Sequence, residues 1–153
     1  MSADANYLSN QPLAFTPDGS RLVTASGRTA DVWAVGDGSQ LATLAGHTAP
    51  VNDLAVSADG SQVATVGEDN TVRLFETDSG RQTLVLRGHS CGLSGVAFSP
   101  DGTKLASASM CDGVRVWALD IDDLLTIAHR EVTRSLTDAE CRQYLHVDGC
   151  PDS

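Results

Sequence analysis

The sequence predicts an all-β fold built from repeating four-stranded units, on three observations. Three landmarks recur with one period, short segments of alternating hydrophobicity fill the space between them, and turn-forming residues separate those segments. Gly46-His47 returns as Gly88-His89, 42 residues on. The turn Pro17-Asp18-Gly19 returns as Ala58-Asp59-Gly60 and Pro100-Asp101-Gly102, with glycine spacings of 41 and 42. Trp33, Phe75 and Trp117 stand 42 apart. Self-similarity at a fixed period of this length marks an architecture of stacked repeats.

The second unit shows the strand pattern. Val51 to Ser57 alternates apolar and polar residues, with a slip after Val51 that predicts a bulge. Ser61 to Val66 forms a second segment, followed by a turn at Gly67 to Asn70. Thr71 to Phe75 places Val72 and Leu74 on one face, and Gln82 to Leu86 does the same with Leu84 and Leu86. Period-two patterning over such short runs reads as strand. In Ser99-Pro100-Asp101-Gly102 and Thr16-Pro17-Asp18-Gly19, proline presets φ and glycine accepts a positive φ, which predicts a type I turn with a glycine bulge between the first two strands. Asp78-Ser79-Gly80 and Gly36-Asp37-Gly38 close the third and fourth strands of their units.

Bulk properties bound the function. The chain has 153 residues, 41% of them hydrophobic and 20% charged, which suits a globular domain with a real core. The formal net charge is −10. A nucleic-acid partner needs a basic surface to displace phosphate counterions, and an anionic membrane surface needs one too, so neither partner is expected. The charge serves solubility first and leaves a basic protein partner open. Met1 to Asn10 has neither the basic nor the apolar region of a secretory signal. No apolar run approaches the ~20 residues of a membrane helix. Four cysteines make no disulfide framework in a chain of this size, so the expected compartment is the cytoplasm, with thiols mostly reduced.

The third unit reads GHSCGLSGVAFSPDGTKLASASMCDGVRVW. This order of Gly-His, apolar strand, Ser-Pro-Asp-Gly, Leu-Ala-Ser, an Asp-bearing turn and a strand ending in Trp resembles the WD40-repeat family. The resemblance covers residues 12–119, read as three repeats at about 12–46, 47–88 and 89–119. It implies one four-stranded antiparallel blade per repeat, arranged radially as a partial β-propeller. It also implies a buried polar network in each blade, since such a cluster is tolerated only when its donors and acceptors are matched. The second blade supplies His47, Thr65 and Asp69, with Phe75 in place of the Trp, so its network is shortened. The third supplies His89, Ser107 and Trp117, but strict spacing puts Cys111 where the Asp belongs and Asp112 one step late. The first supplies Thr24 and Trp33, with a turn one residue shorter.

After Trp117 the period changes. Ile121, Leu124, Leu125, Ala128 and Val132 fall at helical spacing, and Thr137-Asp138-Ala139-Glu140 reads as a capping box opening a second helix. Residues 120–153 are therefore expected to form a two-helix tail, and 1–11 an N-terminal segment with a partial strand at Ala5 to Leu8. The tail SLTDAECRQYLHVDGCP resembles the C-terminal tails of bacterial, especially actinobacterial, WD40 proteins, which implies the C-terminal part of a signalling protein or a short relative. Three blades fall below the about four to eight of a closed ring, and the last lacks its fourth strand. Open blade edges invite either self-association as a homo-oligomer or pairing with further blades.

Other chemistry is discounted. Histidine near Asp and Ser suggests a hydrolase triad, but here the trio recurs with the repeat as a structural element does, and no nucleophile elbow is present. His89 with Cys91 and Cys111, or Cys141 with His146 and Cys150, lacks the Cys-x-x-Cys pairs of a zinc site. No metal or other cofactor is expected, and no enzyme activity. In the family, partners bind where the loops between second and third strands meet the loops entering each blade. That end would carry Arg28, Pro50, Asn52, Glu68, Gly92, Ser94 and Met110, with Asn52, Glu68, Ser94 and Met110 as the partner-binding candidates. Two readings stand: a protein-interaction scaffold or sensor, and a truncated propeller remnant that acts only through self-association.

Overall fold

A computed structural model of the chain describes residues 11–119. The strand expected at Ala5 to Leu8, the two-helix tail, and any pairing of Cys141 with Cys150 lie outside the described residues.

Eleven strands form three antiparallel sheets among the described residues. The first blade is β1 (Leu13–Phe15), β2 (Arg21–Ser26), β3 (Thr29–Ala34) and β4 (Gln40–Ala45), in that order. The second is β5 (Val51–Val56), β6 (Gln62–Gly67), β7 (Thr71–Glu76) and β8 (Gln82–Arg87). The third holds β9 (Leu93–Phe98), β10 (Lys104–Ser109) and β11 (Gly113–Ala118), and no described strand lies beside the outer edge of β11.

The turns between first and second strands are built the same way three times. Gly60 N–H donates to Ser57 O at 2.9 Å and Gly102 N–H to Ser99 O at 2.9 Å, and both glycines take positive φ, 75° and 72°. The Asp before each glycine braces the turn. Asp59 accepts from the hydroxyls of Ser57 (2.6 Å) and Ser61 (2.7 Å) and from the Ser61 amide (3.1 Å). Such bonds favour the carboxylate, and they hold Asp18, Asp59 and Asp101 down at about 2, led by the hydroxyls of Thr16, Ser57 and Ser99.

The predicted slip in β5 is a bulge. Val51 pairs with Gly67 and Asp53 with Val66, leaving Asn52 as the extra residue. The bulge re-aims two side chains across the gap to the third blade. Asn52 Nδ2 donates to Leu93 O at 2.8 Å, and Asp53 Oδ2 accepts from the Val96 amide at 2.9 Å.

Alternation along each strand gives every blade two apolar faces. Val23, Ala30, Val32 and Leu44 of the first blade pack on Leu54, Val63 and Phe75 of the second. The other face of the second blade, with Val66, Val72 and Leu74, packs on Leu93 and Leu105 of the third. Each fully buried Val, Leu or Phe contributes about 1.5–3 kcal/mol, so the contacts between blades carry the stability of the stack.

One expectation is corrected. Cys91 and Cys111 are not free thiols: the structure joins them as a disulfide, with Cα atoms 6.3 Å apart, inside the span such a bond requires. The bond is set by the fold, because the entry to β9 and the β10–β11 turn are drawn together by His89 and Asp112. It also occupies both sulfurs of the metal set weighed with His89.

Leu44 is 1% exposed within the core between blades, whereas Leu41 on the same strand is 47% exposed. Leu44→Ala is expected to cost about 2–5 kcal/mol and Leu41→Ala less than about 0.5 kcal/mol, read from urea unfolding. Equal losses at the two positions would contradict this packing.

Candidate functional site

Two polar networks run through the second and third blades. His47, in the loop leading to β5, places Nδ1 2.9 Å from Asp69 Oδ1 and Nε2 2.9 Å from Thr65 Oγ1. His89, leading to β9, places Nδ1 2.8 Å from Asp112 Oδ1 and Nε2 2.8 Å from Ser107 Oγ. In each, the other carboxylate oxygen accepts the amide after the histidine, from Thr48 at 3.0 Å and Ser90 at 3.0 Å. Trp117 Nε1 donates to Ser107 Oγ at 2.8 Å. One proton order satisfies every contact: the indole donates to the serine oxygen, the hydroxyl donates to Nε2 of a neutral histidine, and Nδ1–H donates to the aspartate. The network ties the loop that enters a blade to the turn between its second and third strands.

Asp112 sits one position late relative to Trp117, yet it meets His89 as Asp69 meets His47. The reason is the residue that follows. Asn70 (φ 63°) and Gly113 (φ 77°) both take the left-handed conformation, and in each turn the carboxylate belongs to the residue just before. The turn is anchored by its left-handed residue, not by distance from the tryptophan.

The second blade lost the indole and extended its network at the other end. Thr71 Oγ1 donates to Asp69 Oδ1 at 2.7 Å and accepts from Arg73 Nε at 3.2 Å. Arg73, 8% exposed, also donates to Gln82 Oε1 at 2.7 Å and lies 3.6 Å from Asp69. The expected shortening therefore holds only on the side of Phe75. In the first blade Trp33 Nε1 donates to Thr24 Oγ1 at 2.9 Å.

Burial pushes His47 below its ordinary histidine value, against the pull of Asp69. Burial pushes Asp69 up, but hydrogen bonds from Thr71, the Thr48 amide and His47 outweigh it and hold the carboxyl well below the usual range. Hydrogen bonds from His89, Ser109 and the Ser90 amide do the same for Asp112. The hydroxyls at the centre of the networks are buried: Thr65 and Ser107 are each 1% exposed.

The loop residues sort differently. Asn52 is half-buried and engaged on the Leu93 carbonyl. Glu68, Ser94 and Met110 are exposed, Met110 by 86%. Gly92 lies between two of them. A Cβ built on it would meet Glu68 Cα at 3.5 Å, and its carbonyl accepts the Met110 amide at 3.4 Å. The loops are pinned to one another: Val51 N–H donates to Gly27 O at 2.8 Å, Glu68 N–H to Pro50 O at 2.9 Å, and Asn70 Nδ2 to Ser90 O at 3.3 Å. Arg28 is exposed on the β2–β3 turn of the first blade. Sequence reasoning missed the roles of Asn70 and Asp53, and the only signal was the bulge at Asn52.

Open grooves lie at the opposite end, between the Asp-braced turns. One, of about 420 Å³, is lined by Ser57, Asp59, Gln62, Phe98, Pro100 and Asp101. A second, bordered by Asp18, Asp59 and the Arg21–Asp78 ion pair, separates the first two blades. The carboxylates of Asp18, Asp59 and Asp101 are engaged within their own turns.

A family model described as WD domain, G-beta repeat, matches residues 38–76 and 80–118, just over half of the chain. Among curated protein sequences nothing matches. Among solved structures the chain is similar to that of U3-55K, at 28% identity and a TM-score of 0.67 over 71% of this chain and 35% of that one. It is equally similar to the crystal structure of the RRP9 WD40 repeats, at 28% identity and a TM-score of 0.67 over 71% of this chain and 34% of the other. The chain thus spans about a third of the length of these structures. The likeness extends to 1125 solved chains, so it reports the repeat and not a partner.

Ser107 serves both His89 and Trp117, whereas Thr65 serves only His47. Ser107→Ala is therefore expected to destabilise more than Thr65→Val, each by about 1–3 kcal/mol per unpaired group. Reversal of that order in urea unfolding would break the proposed proton order. His47 adds a pH dependence. Its folded value is depressed, while the unfolded chain takes up a proton near about 6.5. Its stabilisation is complete above that pH and lost as the pH falls below it. The urea midpoint should fall between about pH 7.5 and 5.5, and fall less in His47→Gln. An equal fall in both would mean that His47 is not held neutral.

Proposed function

Because the chain belongs to the WD40-repeat family, we propose that it is a protein-interaction scaffold which engages its partner through the loop rim around Glu68, Ser94 and Met110. Repeats of this family are typically such scaffolds, and generally non-enzymatic. The observation that carries the reading is Met110, 86% exposed on a turn whose backbone is pinned to the Gly92 carbonyl, with Glu68 on the other side of that glycine. Recognition residues are commonly loop side chains on a rigid support, and an exposed thioether has no role within the blade. A partner surface that fits offers an apolar pocket for Met110 beside a basic group for Glu68. Asn52 contributes by holding the second blade to the third. The resemblance of the tail SLTDAECRQYLHVDGCP supports placing this scaffold at the C-terminal end of a larger bacterial signalling protein.

The test is a pull-down with the purified chain and its Glu68→Lys and Met110→Ala variants, whose changed side chains are exposed and leave the core intact. Wild type retains a partner that both variants lose. Retention of every partner by both variants would remove the rim as the binding site.

A further inference from the structure

The second and third blades fasten the same loop junction in different ways. In the second, backbone bonds hold the turn between the middle strands to the entry loop: Val51 pairs with Gly67, and Glu68 N–H donates to Pro50 O at 2.9 Å. In the third, the register shifts at Ser109 and the corresponding bonds are long. Met110 N–H reaches Gly92 O at 3.4 Å, Ser109 Oγ reaches the carbonyls of Cys91 and Gly92 at 3.4 and 3.3 Å, and Cys111 N–H reaches Ser109 Oγ at 3.5 Å. All lie beyond the about 3.2 Å of an ordinary protein hydrogen bond. Glu68 is followed directly by Asp69, but Cys111 stands between Met110 and the Asp112 that meets His89. The Cys91–Cys111 disulfide closes the junction where the backbone bonds are weak. Two anchors bound a short span. Asp112 is held by His89 and the Ser90 amide at 2.8 and 3.0 Å, bonds that do not involve sulfur, and Ser109 belongs to β10. Only Met110 and Cys111 lie between them.

We propose that the Cys91–Cys111 disulfide is a thiol-exchange site, which fixes Met110 on the rim when oxidised and releases it when reduced. A dithiol supplies the electrons. Cys111 is exposed and Cys91 half-buried, so the incoming thiolate attacks Cys111 Sγ. The bond to Cys91 breaks, and Cys91 leaves as a thiolate that takes up a proton. Ser109 Oγ lies 3.7 Å from Cys91 Sγ, placed to donate to that sulfur as it leaves. The second thiol of the reductant then attacks the mixed disulfide, Cys111 is released as a thiol, and the reductant departs as its own disulfide. One protein disulfide and one dithiol thus give two protein thiols and one disulfide, and the reverse exchange closes the bond again. Reduction frees Met110 and Cys111 without unfastening the blade, so Met110 loses its fixed place beside Gly92 and Glu68. The consequence for partner binding rests on the rim reading above; the change in the turn does not.

The experiment uses the full chain. Peptide mapping after alkylation should find Cys91 joined to Cys111 in the oxidised protein, and both alkylated after treatment with dithiothreitol in the absence of denaturant. Backbone amide order parameters from nitrogen-15 relaxation should fall at Met110 and Cys111 from about 0.85 to below about 0.6 on reduction. Those of Ser90, Asp112 and Glu68 should hold. The double variant Cys91→Ser with Cys111→Ser should show the reduced values with no reductant present, which separates the effect from any reduction at Cys141 or Cys150. Unpaired Cys91 and Cys111 in the oxidised protein, a bond that yields only when urea unfolds the chain, or order parameters unchanged by reduction would each overturn the proposal. Order parameters that respond while Met110→Ala loses no partner would support the exchange site and remove the rim as the binding site.

Discussion

A sheet with two apolar faces cannot stand alone in water, and this constraint shapes the whole molecule. Val23 and Val32 on one side of the first blade need the second blade to cover them, and the second blade needs the third to cover Val72 and Leu74. Hairpins and small sheets gain too little from their ladder bonds to be stable by themselves, so the cooperative unit is the stack. Every strand after β1 has six residues because each must span the same neighbouring sheet. The constraint also explains the Asn52 bulge. It breaks one ladder within the second blade and spends the freed side chains of Asn52 and Asp53 on bonds to the third.

The polar networks solve a second problem. Packing between sheets fixes the strands but leaves the loops between them free, and a histidine reaching from the entry loop to the carboxylate of the β2–β3-type turn removes that freedom. The solution tolerates substitution as long as every group stays matched. Where the third blade uses the Trp117 indole, the second has Phe75 and relies on Thr71, Arg73 and Gln82. The first blade places Asp31 and Gln40 at the repeat positions of Arg73 and Gln82. There the glutamine donates its amide, 2.8 Å from Asp31, whereas Gln82 accepts. The backbone keeps its geometry and the side chains exchange donor and acceptor roles.

Features that depend on neighbours in sequence were legible before the structure. The strands of the second blade follow from alternation, the slip after Val51 is the bulge, and Asp-Gly turns form where their local chemistry requires. Features that depend on which segments become neighbours in space were not. Cys91 and Cys111 are paired because His89 and Asp112 join their loops, and a separation of 20 residues carries no trace of that. Asp112 looked misplaced because position was counted from Trp117, when the left-handed residue after the carboxylate sets the geometry. Asn52 read as a loop residue open to a partner, but a bulge turned it toward a carbonyl 41 residues away. At the rim, polarity alone does not separate a side chain that binds from one that is merely solvated.

Glu68 and Met110 sharpen that last point, because they occupy the same position in consecutive blades. Around them the landmarks recur: histidine before, a hydroxyl on the second strand, and a carboxylate one or two residues after. At this one place a carboxylate alternates with a thioether, and the blade is indifferent, since neither side chain packs within it. The landmarks that make the chain similar to 1125 others are spent on holding blades together. Positions that the blade does not use are the ones free to be set by something outside it. Partner choice in a stack of this kind is therefore written at the residues its own packing leaves unconstrained, and the Gly92 rim is where two of them are held side by side.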